Sequence, residues 1–137
     1  MTSIAATVLS PGTASGPILK LEEPLSFWGA YDTATGAIID LHHPQRGTVL
    51  TGAILVMHES RGSGTAPGSI AESIRRGTAP AAIVLVRPDI NLAVGSTVAA
   101  RLYGKRCPVV TVSEAEFERL GRAKCACIAE DGTIIVD

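Results

Sequence analysis

The sequence predicts an α/β fold of β/β/α layering, with a partly parallel central sheet and additional N-terminal strands. Three observations carry that prediction. The second half holds three short apolar runs without alternation, AILVM (53–57), AAIVLV (81–86) and PVVTV (108–112), the pattern of strands buried on both faces of a parallel sheet. Segments with helix start and stop signals lie between and after these runs, as crossover connections require. The first half instead shows shorter apolar runs broken by glycine and proline, the rhythm of strands and turns.

Taken in order, TVLSPGTASGPILKL (7–21) offers two strands around turn residues Pro11, Gly12 and Gly16. DTATG (32–36) is a turn, and AIIDL, Ala37 to Leu41, is the strand after it. The run at 53–57 leads into SRGSGTAPGS (60–69), then into a helix expected to start at Ser69, where Ser69 and Glu72 form a capping-box pattern. Arg75 and Arg76 suit the negative end of that helix, and Gly77 suits its left-handed stop. A second helix is expected from Asn91 to about Leu102, with Asp89 near its start and Gly104 beyond its end. A third begins at Ser113, whose partner Glu116 repeats the capping box. CACIAEDGTIIVD (125–137) reads as a hairpin turning at Asp131-Gly132.

No repeat, linker or low-complexity block divides the 137 residues, so residues 1–137 are expected to form one domain. An apolar content of 46% with 18% charged residues argues for a packed globule. A net charge of −1, with the basic residues scattered, gives no electrostatic reason to bind nucleic acid or an acidic membrane. No apolar run approaches the roughly 18 residues that would cross a bilayer. MTSIAATVLSPG lacks a basic region and an apolar core of the kind that marks a secretion signal, and is read as mature protein. Three cysteines fit a reducing cytoplasm better than a disulfide framework.

Several familiar site patterns are absent or weak. The glycine-rich loop lacks the lysine of a phosphate-binding P-loop. Neither Ser60 nor Ser63 is framed as a nucleophile elbow. His58 and Ser60 share strand parity, which is the whole case for a Ser–His dyad. Cys125 and Cys127 would point to one face of a strand, with Cys107 as a third ligand, but buried free cysteine is the plainer reading. His42 and His43 lie in an expected loop, where a ligand contact competes with ordinary surface placement. Phe27, Trp28 and Tyr31 fall within five residues. Aromatic clusters often anchor interfaces, and burial in the core is the commoner fate of Phe and Trp.

The loop before the first helix is longer than the usual two to six residues, and its chemistry is specific. A helix N-terminus offers unpaired N–H groups and partial positive charge. Gly62 and Gly64 let backbone approach a ligand, and Arg61 is a planar cation suited to carboxylate or phosphate. Ser63, between the glycines, is expected to be exposed; beside N–H donors and a cation its alkoxide could join in proton transfer. A glycine- and serine-rich loop without chemistry accounts for the composition equally well. The loop holds no metal ligands and no complete catalytic set, so an enzyme built on it needs a second chain.

Three stretches resemble the small subunit, or swivel domain, of the aconitase X family of hydro-lyases. They are EEPLSFWGAYDTATGAIIDLHHPQRG (22–47), GAILVMHESRGSGTAPGSIAESIRRGTAPAAIVL (52–85) and IVLVRPDINLAVGSTVAARLYGKRCPVV (83–110). Their order and spacing make the resemblance specific. It implies a swivelling β/β/α domain that closes over a large catalytic subunit carrying the iron–sulfur cluster, with no cofactor bound by this chain. It further implies that a loop serine is the base. The match falls on Ser63, with Arg61 at the preceding basic position and Gly62 and Gly64 as backbone contacts to substrate; Ser60 is the alternative hydroxyl for facing the site. Dehydration of a hydroxy acid needs a Lewis acid on the leaving hydroxyl, a carboxylate clamp and a base. Within the family the wording is closer to cis-3-hydroxy-L-proline dehydratases than to mevalonate 5-phosphate dehydratases. Two readings of other classes stand beside this one: a non-catalytic anion-binding or regulatory domain, and a self-sufficient hydrolase or transferase using Ser63 or a cysteine.

Overall fold

A computed structural model of the chain describes residues 2–61 and 64–137. Thr2–Ile4 (β1), Thr7–Ser10 (β2) and Ala14–Lys20 (β3) open the chain; Tyr31–Asp32 (β4) and Ala37–Ile38 (β5) form a separate two-stranded pair. The remainder alternates: Ile54–Val56 (β6), Ala66–Arg76 (α1), Ala82–Leu85 (β7), Ile90–Tyr103 (α2), Val109–Thr111 (β8), Glu114–Gly121 (α3), and the hairpin Cys125–Ile128 (β9) with Ile134–Val136 (β10).

One eight-stranded sheet runs in the order β1-β10-β9-β3-β6-β7-β8-β2. Its centre, β3-β6-β7-β8, is parallel, and both flanks are antiparallel. Flat, such a sheet would hold its edges roughly 34 Å apart. Only Ala5 and Ala6 separate β1 on one edge from β2 on the other, and that length of chain reaches about 11 Å. The sheet therefore curls until its edges approach. The additional N-terminal strands are members of this sheet, and its curled flank is the second β layer of the expected fold.

Both faces of the central strands are covered, which is why their sequences do not alternate. Leu55, Met57, Ile83, Leu85 and Val109 face α1, α2 and the segment around the β4–β5 pair, meeting Ile70, Leu92, Phe27 and Ile38. Ile54, Val56, Val84 and Val110 face the other way, onto Phe117 and Leu120 of α3 and onto Ala126, Ile128 and Ile134 of the hairpin.

Three expectations are corrected. Gly16 lies inside β3 rather than in a turn; a Cβ there would stand 2.5 Å from the Gly52 carbonyl oxygen, so close backbone approach explains the glycine. AIIDL keeps only Ala37–Ile38 as strand, because the Asp40 side chain accepts the His42 N–H at 2.9 Å and turns the chain away. Helix α1 starts three residues before Ser69, at Ala66. Pro67 sits in its first turn, where a missing N–H costs nothing, and the Glu72 carboxylate pairs with Arg75 and Arg76 at 2.7 and 2.9 Å instead of capping. The other helix limits agree with expectation. Asp89 accepts the N–H groups of Asn91 and Leu92, Ser113 accepts that of Glu116, and Gly77 and Gly104 stop their helices at positive φ. No helix among the described residues is long and apolar enough to cross a membrane.

Candidate functional site

The carboxyl end of β6 feeds the glycine-rich connection beside the carboxyl end of β7, and the structure shows how the chain holds its entrance. Past β6, Met57 is buried and its N–H donates to Val84 at 3.1 Å. The His58 carbonyl accepts the N–H groups of Val86 and Arg87, both at 3.0 Å, so the exits of the two strands are tied together. The His58 ring stands edge-on to Phe117, with Nε2 at 2.8 Å from the Glu114 carboxylate and Nδ1 at 3.6 Å from that of Glu59. Ser60 pairs with Leu25 in a parallel bridge; its hydroxyl donates to the Leu25 carbonyl, and so does the Arg61 N–H, each at 3.1 Å. The Arg61 guanidinium reaches Glu23 at 3.6 Å, both side chains half exposed.

Segment 20–25 thus acts as a strap across the loop entrance, braced from behind. Buried His43 accepts the Gln45 N–H at Nδ1, 3.0 Å, so its Nε2 carries the proton and donates to the Glu23 carbonyl at 3.1 Å. The Gln45 side chain accepts from the Glu22 N–H and donates to the Lys20 carbonyl, at 2.7 and 3.0 Å. Between strap and α3 opens a polar pocket of about 300 Å³, lined by Lys20, Glu22, Glu23, His58, Glu114 and Glu118 among others. Lys20 lies 4.9 Å above the Phe117 ring and 3.6 Å from Glu118.

Of the expected site residues, Gly62 and Ser63 lie outside the described residues. Arg61 stands at the loop entrance. Gly64 is exposed, and a Cβ on it would meet no atom within 4 Å, so among the described residues nothing demands a glycine there. The His58–Ser60 dyad is not formed, since the hydroxyl is committed to Leu25 and the imidazole to Glu114. The same bond ties the Ser60 hydroxyl to the chain's own backbone. His43 braces the strap rather than meeting a ligand, and His42 is exposed.

The cysteines divide. Cys107 is buried in the core beside α2, and burial pushes its thiol up to about 12. Cys125 and Cys127 do share one face of β9 but are exposed, against the plainer expectation of burial. The Cys125 thiol donates to the Asp137 carboxylate at 3.5 Å, which raises its pKa. These two line a larger pocket, about 380 Å³, with Ser15 at the opposite end of β3 from the strap. Among the described residues no three metal-ligating side chains are gathered. The larger pocket is walled in good part by Gly16, Ala126, Ile135 and Val136, whereas the smaller gathers Lys20, His58 and four carboxylates, so the smaller one is the better candidate. The aromatic trio also divides. Phe27 and Tyr31 are buried and stack edge-on at 4.9 Å, while Trp28 is 59% exposed.

Sequence reasoning missed the strap and Glu114. Glu114 directly follows a helix cap, and in the sequence it looks like an ordinary helix-start residue.

Comparison with known proteins adds an independent line. A family described as the aconitase X swivel domain matches residues 3–136. A Pseudomonas aeruginosa protein named cis-3-hydroxy-L-proline dehydratase is 39% identical over 127 residues, 93% of this chain but 22% of its own length. A Methanothermobacter thermautotrophicus protein named phosphomevalonate dehydratase small subunit is 37% identical over 92 residues, 67% of this chain and 70% of the relative. In fold, the chain superposes on the crystal structure of holo aconitase X from Thermococcus kodakaraensis with a TM-score of 0.84, covering 100% of this chain and 99% of that one at 23% identity. The chain spans about a fifth of the length of the Pseudomonas relative.

Proposed function

The chain belongs to the aconitase X swivel-domain family, and from that membership we propose that it is the small subunit of a two-subunit iron–sulfur hydro-lyase that dehydrates cis-3-hydroxy-L-proline to Δ1-pyrroline-2-carboxylate. The observation that carries the substrate choice is the 39% identity, across 93% of the chain, to a relative named for that activity.

The chain's own part is proton transfer and charge. Ser63, delivered on the loop between the bridged Ser60–Leu25 pair and the start of α1, takes the proton from the substrate α-carbon. The C3–O bond breaks, hydroxide departs, and proton and hydroxide together make up the water lost. The resulting enamine tautomerises to the cyclic imine. Arg61 and the amino end of α1, whose first turn carries no acidic side chain, hold the substrate carboxylate. Gly64 leaves open space for substrate or partner to approach the backbone. The family's iron–sulfur cluster does not fit this chain's donor set. Cys107 is sealed in the core, and Cys125 and Cys127 face away at the other end of β3. The cluster belongs on the large subunit, and no step assigned to this chain passes through it.

A second reading, the small subunit of a mevalonate 5-phosphate dehydratase, is favoured by the 37% identity, over 67% of this chain, to a relative named phosphomevalonate dehydratase small subunit. Charge weighs the other way. Arg61 already faces Glu23, and Glu22, Glu59 and Glu114 crowd the entrance, poor surroundings for a phosphate dianion and tolerable ones for an amino acid's ammonium group. Mixing the chain with a large aconitase X subunit and assaying both compounds decides the matter. Turnover of cis-3-hydroxy-L-proline by the pair, and by neither chain alone, is expected. Activity of this chain by itself, or turnover of mevalonate 5-phosphate alone, would overturn the assignment.

A further inference from the structure

Among the described residues, exposed large apolar side chains fall in two places. Ile90, Val94, Val98 and Leu102 form a stripe along α2, and Trp28, Ile39, Leu41 and Val49 lie on the excursion that carries β4 and β5. Clustered exposure of this kind marks a contact surface more often than scattered exposure does. The second group is tied to the candidate site. The register of the β4–β5 pair sets Tyr31 opposite Ile38, and the Ile39 N–H donates to Ala30 at 2.9 Å. Beyond Ile39 the chain turns at Asp40, and buried His43, two residues past Leu41, bonds the Glu23 carbonyl, so Leu41 lies close to the strap. The pair's far end, at Gly36, packs on Thr51 and Thr78, ahead of β6 and β7, so Trp28 and Leu41 lie toward the strand ends where the loop leaves. Trp28 follows the bridged Leu25 by three residues. Its turn is fixed by the Ser26 hydroxyl, which accepts the Trp28 N–H at 3.1 Å and donates to the Trp28 carbonyl at 3.0 Å, and by Gly29 at φ 81°. An indole 59% exposed on so well-determined a turn is presented outward by design of the chain.

Resting on the two-subunit reading above, we propose that Trp28 and Leu41 are the anchors by which the large catalytic subunit seats this chain, beside the loop that carries Ser63. The occupant follows from position. A base on this loop works only when a second body covers the loop end of the sheet, and this is the exposed apolar surface that continues into the strap holding the loop. The length outside the chain agrees: in the Pseudomonas relative the match leaves most of one polypeptide to be packed against this portion. Aromatic anchors at interface centres are the residues whose truncation costs most. Nothing comparable indicates what covers the α2 stripe.

The test measures affinity of the full chain for the large subunit by titration calorimetry, alongside the melting temperature of the chain alone. Trp28→Ala and Leu41→Ser should each weaken the complex by about tenfold or more while moving the melting temperature by no more than about 2 °C. Val98→Ser, on α2, should bind as the unaltered chain does. Binding within about twofold for the Trp28 and Leu41 variants, or a loss confined to Val98→Ser, would overturn the proposal. An unaltered chain that fails to bind the large subunit would instead bring down the two-subunit reading itself, so the two failures are distinguishable.

Discussion

At Cys107 the residue's surroundings decide its chemistry. The thiol sits wholly within the core, and loss of solvation raises its pKa from 9.0 to about 12. A thiol whose folded pKa lies above its unfolded value contributes stability that is complete below pH 9 and is lost as pH rises from 9 toward 12. Cys125 and Cys127 are exposed, so two thiols of the native chain should react with a colourless aromatic disulfide reagent near pH 8, and the third only on unfolding. Three rapid equivalents in the native state would contradict the placement. His43 teaches the same lesson in another form. In the sequence it is one of two adjacent histidines in a polar loop, and nothing there separates them. Folding buries His43 with both ring nitrogens bonded to backbone and leaves His42 in solvent. Ser60 is a further case: only the Leu25 bridge, a contact over 35 positions, shows that its hydroxyl is bonded to backbone.

Between α1 and α2 the packing is set by one glycine. A Cβ on Gly95 would stand 2.6 Å from the Pro67 carbonyl oxygen and 2.9 Å from its Cα, and would collide with Ile70 Cγ2. Gly95→Ala gains about 1 kcal/mol of helix propensity and forces two backbones apart, so a net loss of about 1–3 kcal/mol is expected in urea unfolding. Unchanged or higher stability would show that the helices do not meet as described. Element ends governed by local chemistry were readable in advance: Asp89, Ser113, Gly77, Gly104 and the Asp131-Gly132 turn all act as their types dictate. The start of α1 was not, because Ser69 and Glu72 carry the spacing of a capping box while Pro67, two residues earlier, is equally at home in a first turn. Arg75 and Arg76 then outcompete the backbone for Glu72, whose carboxyl is held at about 2 by bonds first from Arg75 and then from Arg76. The glycine-rich connection accordingly ends at Thr65, nearer Ser63 in the chain than the capping pattern implied.

For the whole molecule, what the sequence shows and what it hides follow from contact range. Apolar runs covered on two faces announce a parallel centre, and that centre is present. The curl that brings β1 and β2 together, the strap over the loop entrance and the outward indole all depend on contacts far apart in the chain, which no local pattern records. Resemblance to the aconitase X family supplied the functional reading because the motif around Ser63 is too short to do so alone. If Ser63 is a base completed by a second subunit, as proposed, replacing it must stop the chemistry without parting the subunits. The decisive experiment is steady-state dehydration of cis-3-hydroxy-L-proline by the reconstituted pair carrying Ser63→Ala, with complex formation measured on the same sample. A fall in kcat of about 100-fold or more with the complex intact is expected; kcat within a few-fold of the unaltered pair would rule out Ser63 as the base.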